Sequence, residues 1–155
     1  MLVNFDILPD NSRIWIYAAK KKLTDLQQTY ILNNISTFLQ TWVAHNKILR
    51  SGIKILENRF IVIALDENEN RATGCAIDAL QNKIQEIESY FSFSLMNRLN
   101  VFCIVDGIIT CISVHELASQ IDDSEMLFYD LTVQEKRGLS NWIKPLQEGW
   151  CNNFL

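Results

Sequence analysis

The stretch Phe60-Ile-Val-Ile-Ala-Leu65 constrains this chain most, because every position in it is apolar. A strand with one wet face alternates apolar and polar residues, whereas a strand apolar throughout needs cover on both faces. The run is far short of the ~20 apolar residues that cross a bilayer. A second segment makes the same demand. Asp106-Gly107 is a strong two-residue hairpin signal, which sets Val105 opposite Ile108 and Cys103 opposite Thr110. Val101, Cys103 and Val105 then line one face, and Phe102, Ile104 and Ile109 the other. Whatever the topology, the sheet must be covered twice.

The remaining elements follow from periodicity and caps. Arg13-Ile-Trp-Ile-Tyr-Ala-Ala19 reads as the first strand. Thr24-Asp-Leu-Gln27 is a capping box, and Ile31, Ile35, Phe38, Leu39 and Trp42 form one face of a helix running to about residue 44. Residues 49–56 and 59–65 read as strands joined by a tight turn near Glu57-Asn58. Thr73 caps a second helix with the stripe Ile77, Leu80, Ile84, Ile87 and Phe91. After the hairpin, Ser113-Val-His-Glu116 starts a short helix, residues 126–129 form a short strand, and Thr132-Val-Gln-Glu135 starts a helix that stops before Pro145. Residues 13–105 thus read β-α-β-β-α-β, an α+β chain with a ferredoxin-like core and an antiparallel sheet. The C-terminal segment, with Leu139, Trp142, Ile143, Trp150 and Phe154, is expected to wrap the second sheet face; a dimer is the alternative.

No repeat, low-complexity tract or Pro/Gly/Ser linker interrupts the 155 residues, so a single domain over 1–155 is expected. The net charge of −4 argues against a surface built for nucleic-acid phosphates or anionic lipid. The first ten residues lack a basic region followed by an apolar run, which points to the cytoplasm. Cys75, Cys103, Cys111 and Cys151 include no C-x-x-C pair. The hairpin register puts Cys103 and Cys111 on opposite faces, so they cannot bridge. No cofactor and no metal is called for. The sequence Asp66-x-Asn68-x-Asn70 imitates a calcium loop, but Arg71 stands where a glycine is required and Ile77 where a glutamate is.

Arg13-Ile-Trp-Ile-Tyr17, Trp42-Val-Ala-His45, the run from Asn58 to Glu67, Ala72-Thr-Gly-Cys-Ala-Ile-Asp78, Asn97-Arg98 and the Trp142 and Trp150 region together resemble a family of short bacterial proteins. Members sometimes carry the label "ABC transporter ATPase". The resemblance implies no catalytic residues. A P-loop needs G-x-x-x-x-G-K-[ST], and the five glycines here are followed by Ile, Cys, Ile, Leu and Trp. An ATPase is excluded on that ground.

Chain direction gathers a candidate site. The first helix ends near Trp42 and His45, the third strand delivers Asp66, and the second helix begins at Thr73-Gly74-Cys75; the fourth strand ends at Asp106-Gly107 on the same edge. Cys75 sits in a first helical turn, where free N–H groups favour a thiolate, with His45 as candidate base and Asp66 beside them. The carboxylate of Asp78, one turn on, opposes that thiolate. The same turn could hold a small anion through Gly74, Cys75 and Arg71, with Asp78 at its border. The simpler readings are a small helix-start residue at 75, a helix cap at His45 and a surface histidine at 115. Trp142 and Trp150 are core anchors or hot spots for a partner, and Lys20-Lys-Lys22 is a solvated turn. Two functions follow: a non-enzymatic module that binds a protein or its own copy through the sheet edge and the Trp-rich tail, or a small-molecule, anion or thiol-dependent site at the His45–Asp66–Cys75 rim.

Overall fold

The computed structural model describes residues 1–121 and 123–155. The chain is α+β, with helices and antiparallel sheets arranged in two compact units: Met1–Leu95 with Gln134–Arg137, and Met96–Val133 with Gly138–Leu155. Among the described residues no helix is long and apolar enough to cross a membrane.

The first unit contains β1 (Arg13–Ala18), α1 (Asp25–Gln40), a small hairpin of β2 (Val43–Ala44) and β3 (Lys47–Ile48), then β4 (Arg50–Leu56), β5 (Phe60–Asp66) and α2 (Gly74–Phe91). Its sheet has the order β1-β5-β4, so the uniformly apolar run lies in the middle. Residues 60–65 have no solvent exposure at all. Pairing of Trp15 with Ile63, Tyr17 with Ile61 and Ile53 with Ile63 puts these side chains on one face. That face meets the helices: the Tyr17 hydroxyl lies 3.2 Å from Gln81 of α2, and Ile31, Ile35 and Leu39 of α1 are buried with Ala76, Leu80, Ile84 and Ile87 of α2. Ala76, not the expected Ile77, opens the buried stripe.

The opposite face carries Ile14, Ile16, Phe60, Val62, Ala64 and Gly52. The N-terminal segment crosses it, with Phe5 and Leu8 buried. A Cβ at Gly52 would lie 2.8 Å from the Val3 carbonyl oxygen and 3.1 Å from the Phe5 Cα, so glycine is what lets this backbone approach the sheet.

The four-stranded ferredoxin-like order is not confirmed. Strands one to three take the expected order, but the fourth, β6 (Asn100–Val105), pairs in the other unit's sheet. Its seat beside β1 is occupied: the Ile14 N–H donates to Gln134 O (3.0 Å), the Ala18 N–H donates to Leu95 O (3.0 Å), and Glu135 bridges Arg13. This also explains the missing helix after Thr132. Residues 134 and 135 serve as an edge cover for β1, and the Thr132 hydroxyl bonds to Asp130 instead of capping; Lys136–Ser140 is a 3₁₀ turn.

The second unit holds β6, β7 (Ile108–Ser113), a 3₁₀ turn at Val114–Glu116, α3 (Leu117–Gln120), β8 (Leu127–Tyr129) and β9 (Ile143–Pro145), with sheet order β7-β6-β8-β9. The β6–β7 turn has φ of 50° at Asp106 and 77° at Gly107, and the register sets Phe102 opposite Cys111 and Cys103 opposite Thr110, as the turn requires. Ser113 precedes its short helix as expected, but its hydroxyl makes no cap bond. The C-terminal segment completes this unit: Leu146 and Cys151 are buried with Val101, Cys103, Val114, Leu117 and Phe128. Gly149 packs so closely on Phe128 that a Cβ there would lie 2.1 Å from the ring. Burial, with Cys151 and Cys111 nearby, pushes the Cys103 thiol up to about 12.

Asp130 is the buried charge of this unit. Burial alone would raise its carboxyl, but hydrogen bonds from Lys144 (2.7 Å) and from the Thr132 hydroxyl and amide outweigh that and hold it below the usual carboxylate range. A depressed pKa contributes stability that is present above the unfolded-state value and lost as pH falls through the folded one. Asp130→Asn is therefore expected to cost about 1–3 kcal/mol near neutral pH. The gap to wild type should close below about pH 4. Urea unfolding at both pH values checks this.

Candidate functional site

The first unit assembles its candidate site from the C-terminal end of β5, the β2–β3 hairpin and the start of α2. α1 stops at Gln40, not near residue 44, so His45 is not a helix cap. It occupies the two-residue turn of the β2–β3 hairpin with Asn46, both in the left-handed region (φ 50° and 63°), and its side chain is exposed. Trp42 anchors the base of this hairpin. Its carbonyl accepts from the Leu49 N–H, its ring meets Trp15 edge-on at 5.8 Å, and its indole N–H donates to the Ala76 carbonyl at 2.8 Å. The last bond ties the hairpin to the first turn of α2. Asn70, in the loop before α2, donates to the Ile48 carbonyl at 3.5 Å.

Asp66 ends β5 directly opposite Arg50 on β4, and its Oδ2 accepts from the guanidinium at 3.0 Å. Its Oδ1 accepts from the Asn68 N–H at 3.0 Å, which closes the turn that the calcium-like spacing had marked. Glu67 accepts from the Ala72 N–H, and the Thr73 hydroxyl accepts from Ala76 N–H as the expected N-cap. A cleft of about 300 Å³ lies at this rim, lined by Met1, Ile48, Arg50, Asp66, Glu69 and Asn70. Arg50, Glu69 and Asn70 were not singled out from sequence, although a hairpin register counted through a three-residue turn puts Arg50 opposite Asp66.

Gly74 and Cys75 are exposed in the first turn of α2, Arg71 is exposed just before it, and Asp78 is exposed one turn later. A Cβ at Gly74 would meet nothing within 4 Å, so the backbone there is open. No hydrogen bond joins His45, Asp66 and Cys75 among the described residues, and both Asp66 oxygens are engaged elsewhere. Nucleophilic activation requires thiol and base within hydrogen-bond reach. No group of three His, Cys, Asp or Glu side chains among the described residues could hold a metal ion.

The tail tryptophans belong to the second unit. Trp142 is only 6% exposed and meets Tyr129 edge-on at 4.9 Å, while its carbonyl accepts from the Asp130 N–H. Trp150 is half-buried against the core and meets Phe154, the aromatic that the tail leaves exposed.

This geometry sets the order of thiol reactivity. Iodoacetamide is expected to alkylate Cys75 first, and Cys103 and Cys151 only after unfolding, because burial keeps the latter two protonated and covered. Replacing His45 with alanine should leave the Cys75 rate unchanged, as peptide mass mapping would read; a tenfold loss would establish a thiol–imidazole pair. No protein-family model, curated protein or solved structure matches this chain.

Proposed function

We propose that this chain is a non-enzymatic cytoplasmic module that associates with a second copy of itself through the edge strand β7. One observation carries the reading: of the four edges of the two larger sheets three are covered or blunted, while among the described residues no strand pairs with the outer side of β7. In the first unit, β1 is covered by Gln134, Glu135 and Leu95, and β4 by Met1 to Val3, through the Val3 N–H to Ser51 O bond (2.8 Å) and the Ser51 N–H to Met1 O bond (3.0 Å). In the second unit, β9 is three residues long and ends at Pro145, which blunts it. β7 reads Ile108-Ile-Thr-Cys-Ile-Ser113, six residues with no charge and no proline, and Ile108 is 68% exposed.

An uncharged edge of this length is a template for strand addition. An antiparallel copy meets no like-charge opposition, and the same patch on both chains satisfies a twofold axis. The tail reaches this region through Phe154, whose ring meets His115 just beyond β7 at 6.4 Å. The alternative of a small-molecule, anion or thiol site at the rim has weaker support, since Arg50 and Asp66 are paired with each other and, among the described residues, no hydrogen bond joins Cys75 to a base. The resemblance to the short bacterial family assigns no residue roles, so the proposal stands on geometry alone.

The two-residue turn fixes which amides face outward. With Val105 and Ile108 as the closing pair, the Ile109 N–H points away from β6. Ile109→Pro deletes that donor without touching the β6–β7 ladder, and proline is tolerated on such an edge. Sedimentation of the wild type should show a concentration-dependent dimer that Ile109→Pro abolishes with unchanged far-ultraviolet circular dichroism. A wild-type monomer throughout, or a variant that dimerises equally, overturns the reading.

A further inference from the structure

We infer a second interaction surface, on the first unit, that binds an acidic segment of another protein carrying exposed apolar side chains. It lies where α1 begins and α2 ends, and it does not depend on β7. Tyr30 of α1 and Tyr90 of α2 stack nearly parallel, with centroids 4.1 Å apart and planes 7° apart. Phe91 meets both edge-on at 5.0 and 4.9 Å, and Phe93 packs on Phe91 at 5.3 Å. Ser92, with φ 57°, turns the chain after α2 so that Phe93 comes back to this cluster. The cluster is not sealed: Tyr90 is 63% exposed, and Leu26, one turn before Tyr30 on α1, is 85% exposed.

Leu26 lies about half a helical turn away from the buried stripe of Ile31, Ile35 and Leu39, so the packing of its own unit makes no use of it. Exposed aromatic and aliphatic groups that adjoin one another mark contact surfaces more often than scattered ones do.

Charge identifies the occupant. Lys20, Lys21 and Lys22 immediately precede α1, are all exposed, and have no carboxylate within ion-pair distance among the described residues. Arg59 adds a fourth cation, its guanidinium donating to the Lys20 carbonyl at 3.2 Å. The acidic groups on this side are Asp25, Glu57 and Glu88, the last accepting from the Leu95 N–H, while Glu86 is paired to Lys83. In a chain of net charge −4, this end keeps an excess of one cation over these carboxylates, and three of its cations stand in one run at Lys20, Lys21 and Lys22. A polynucleotide gains affinity from many phosphate contacts, which the overall charge opposes. A short acidic segment answers the lysines with its carboxylates and the rings with its apolar residues.

The test uses an array of synthetic peptides of about 15 residues in which the number of glutamates and the number of leucine and phenylalanine residues vary independently. Binding of the folded chain should rise with both; peptides with lysine in place of glutamate should not bind. Taking the best peptide, Leu26→Ala and Tyr90→Ala should each weaken it about tenfold, and Lys21→Glu with Lys22→Glu by a similar factor that shrinks as salt is raised. These positions are exposed, so circular dichroism should match wild type, and Ile109→Pro should bind the peptide normally. Dependence on only one of the two peptide variables, indifference to the four substitutions, or preferred binding to oligo-dT or phosphatidylserine vesicles overturns the inference.

Discussion

Everything in the first unit depends on β5 being dry on both sides. A strand flanked by β1 and β4 satisfies its own amides and carbonyls, but its side chains at 60 to 65 require two covering layers. The helices supply one and the N-terminal segment contributes to the other through Phe5 and Leu8. Each buried Val, Ile, Leu or Phe gains about 1.5–3 kcal/mol relative to exposure, so this strand alone outweighs any single surface ion pair in the molecule. The close passage of the chain over Gly52 follows directly: a covering backbone can lie on a sheet only where no side chain intervenes.

That dominance explains which features were legible in the sequence. The apolar run announced a central strand, and the 13–18, 50–56 and 60–66 strands appear in the order that two covering helices favour. The Asp106-Gly107 turn determined a whole hairpin register, down to the separation of Cys103 from Cys111, because such a turn admits one pairing. The Glu57-Asn58 turn was less decisive. Closed as a two-residue loop it would set Leu49 opposite Asp66; Arg59 joins the loop instead, Leu56 pairs with Phe60, and Arg50 arrives beside Asp66. One residue of register decided whether the carboxylate at the rim had a cation partner.

The misread elements share a cause, which is competition for the same backbone groups. Thr132-Val-Gln-Glu135 has the side chains of a capping box, but the Gln134 carbonyl is taken by Ile14 and the Thr132 hydroxyl by Asp130. The fourth strand of the expected sheet met a β1 edge already occupied by residues distant in sequence. His45-Asn46 looked like a helix end because Trp42 continued the apolar stripe of α1. In fact the indole is needed for its bond to Ala76 of α2, and the chain leaves the helix to deliver it. Local patterns predict what a segment can do alone and are silent on what a partner 34 or 120 residues away will demand of it.

The two ends of the first unit therefore differ in what they leave for other molecules. At the Asp66 end several polar groups have internal partners: Arg50 and the Asn68 N–H on Asp66, the Ala72 N–H on Glu67, the Ala76 N–H on Thr73, and Asn70 on the Ile48 carbonyl. Such a network fixes loop geometry and engages both oxygens of Asp66. At the opposite end the Arg59–Lys20 and Leu95–Glu88 bonds adjoin a cluster of rings, and ring contacts do not saturate in this way. Tyr90 stacks on Tyr30 yet stays 63% exposed, and Leu26 is 85% exposed. Water in contact with that apolar area is released when a complementary surface arrives, and the neighbouring lysines bias which surface that is. The end that sequence spacing made attractive has its central carboxylate paired internally, and the end that looked like a solvated turn keeps apolar surface exposed.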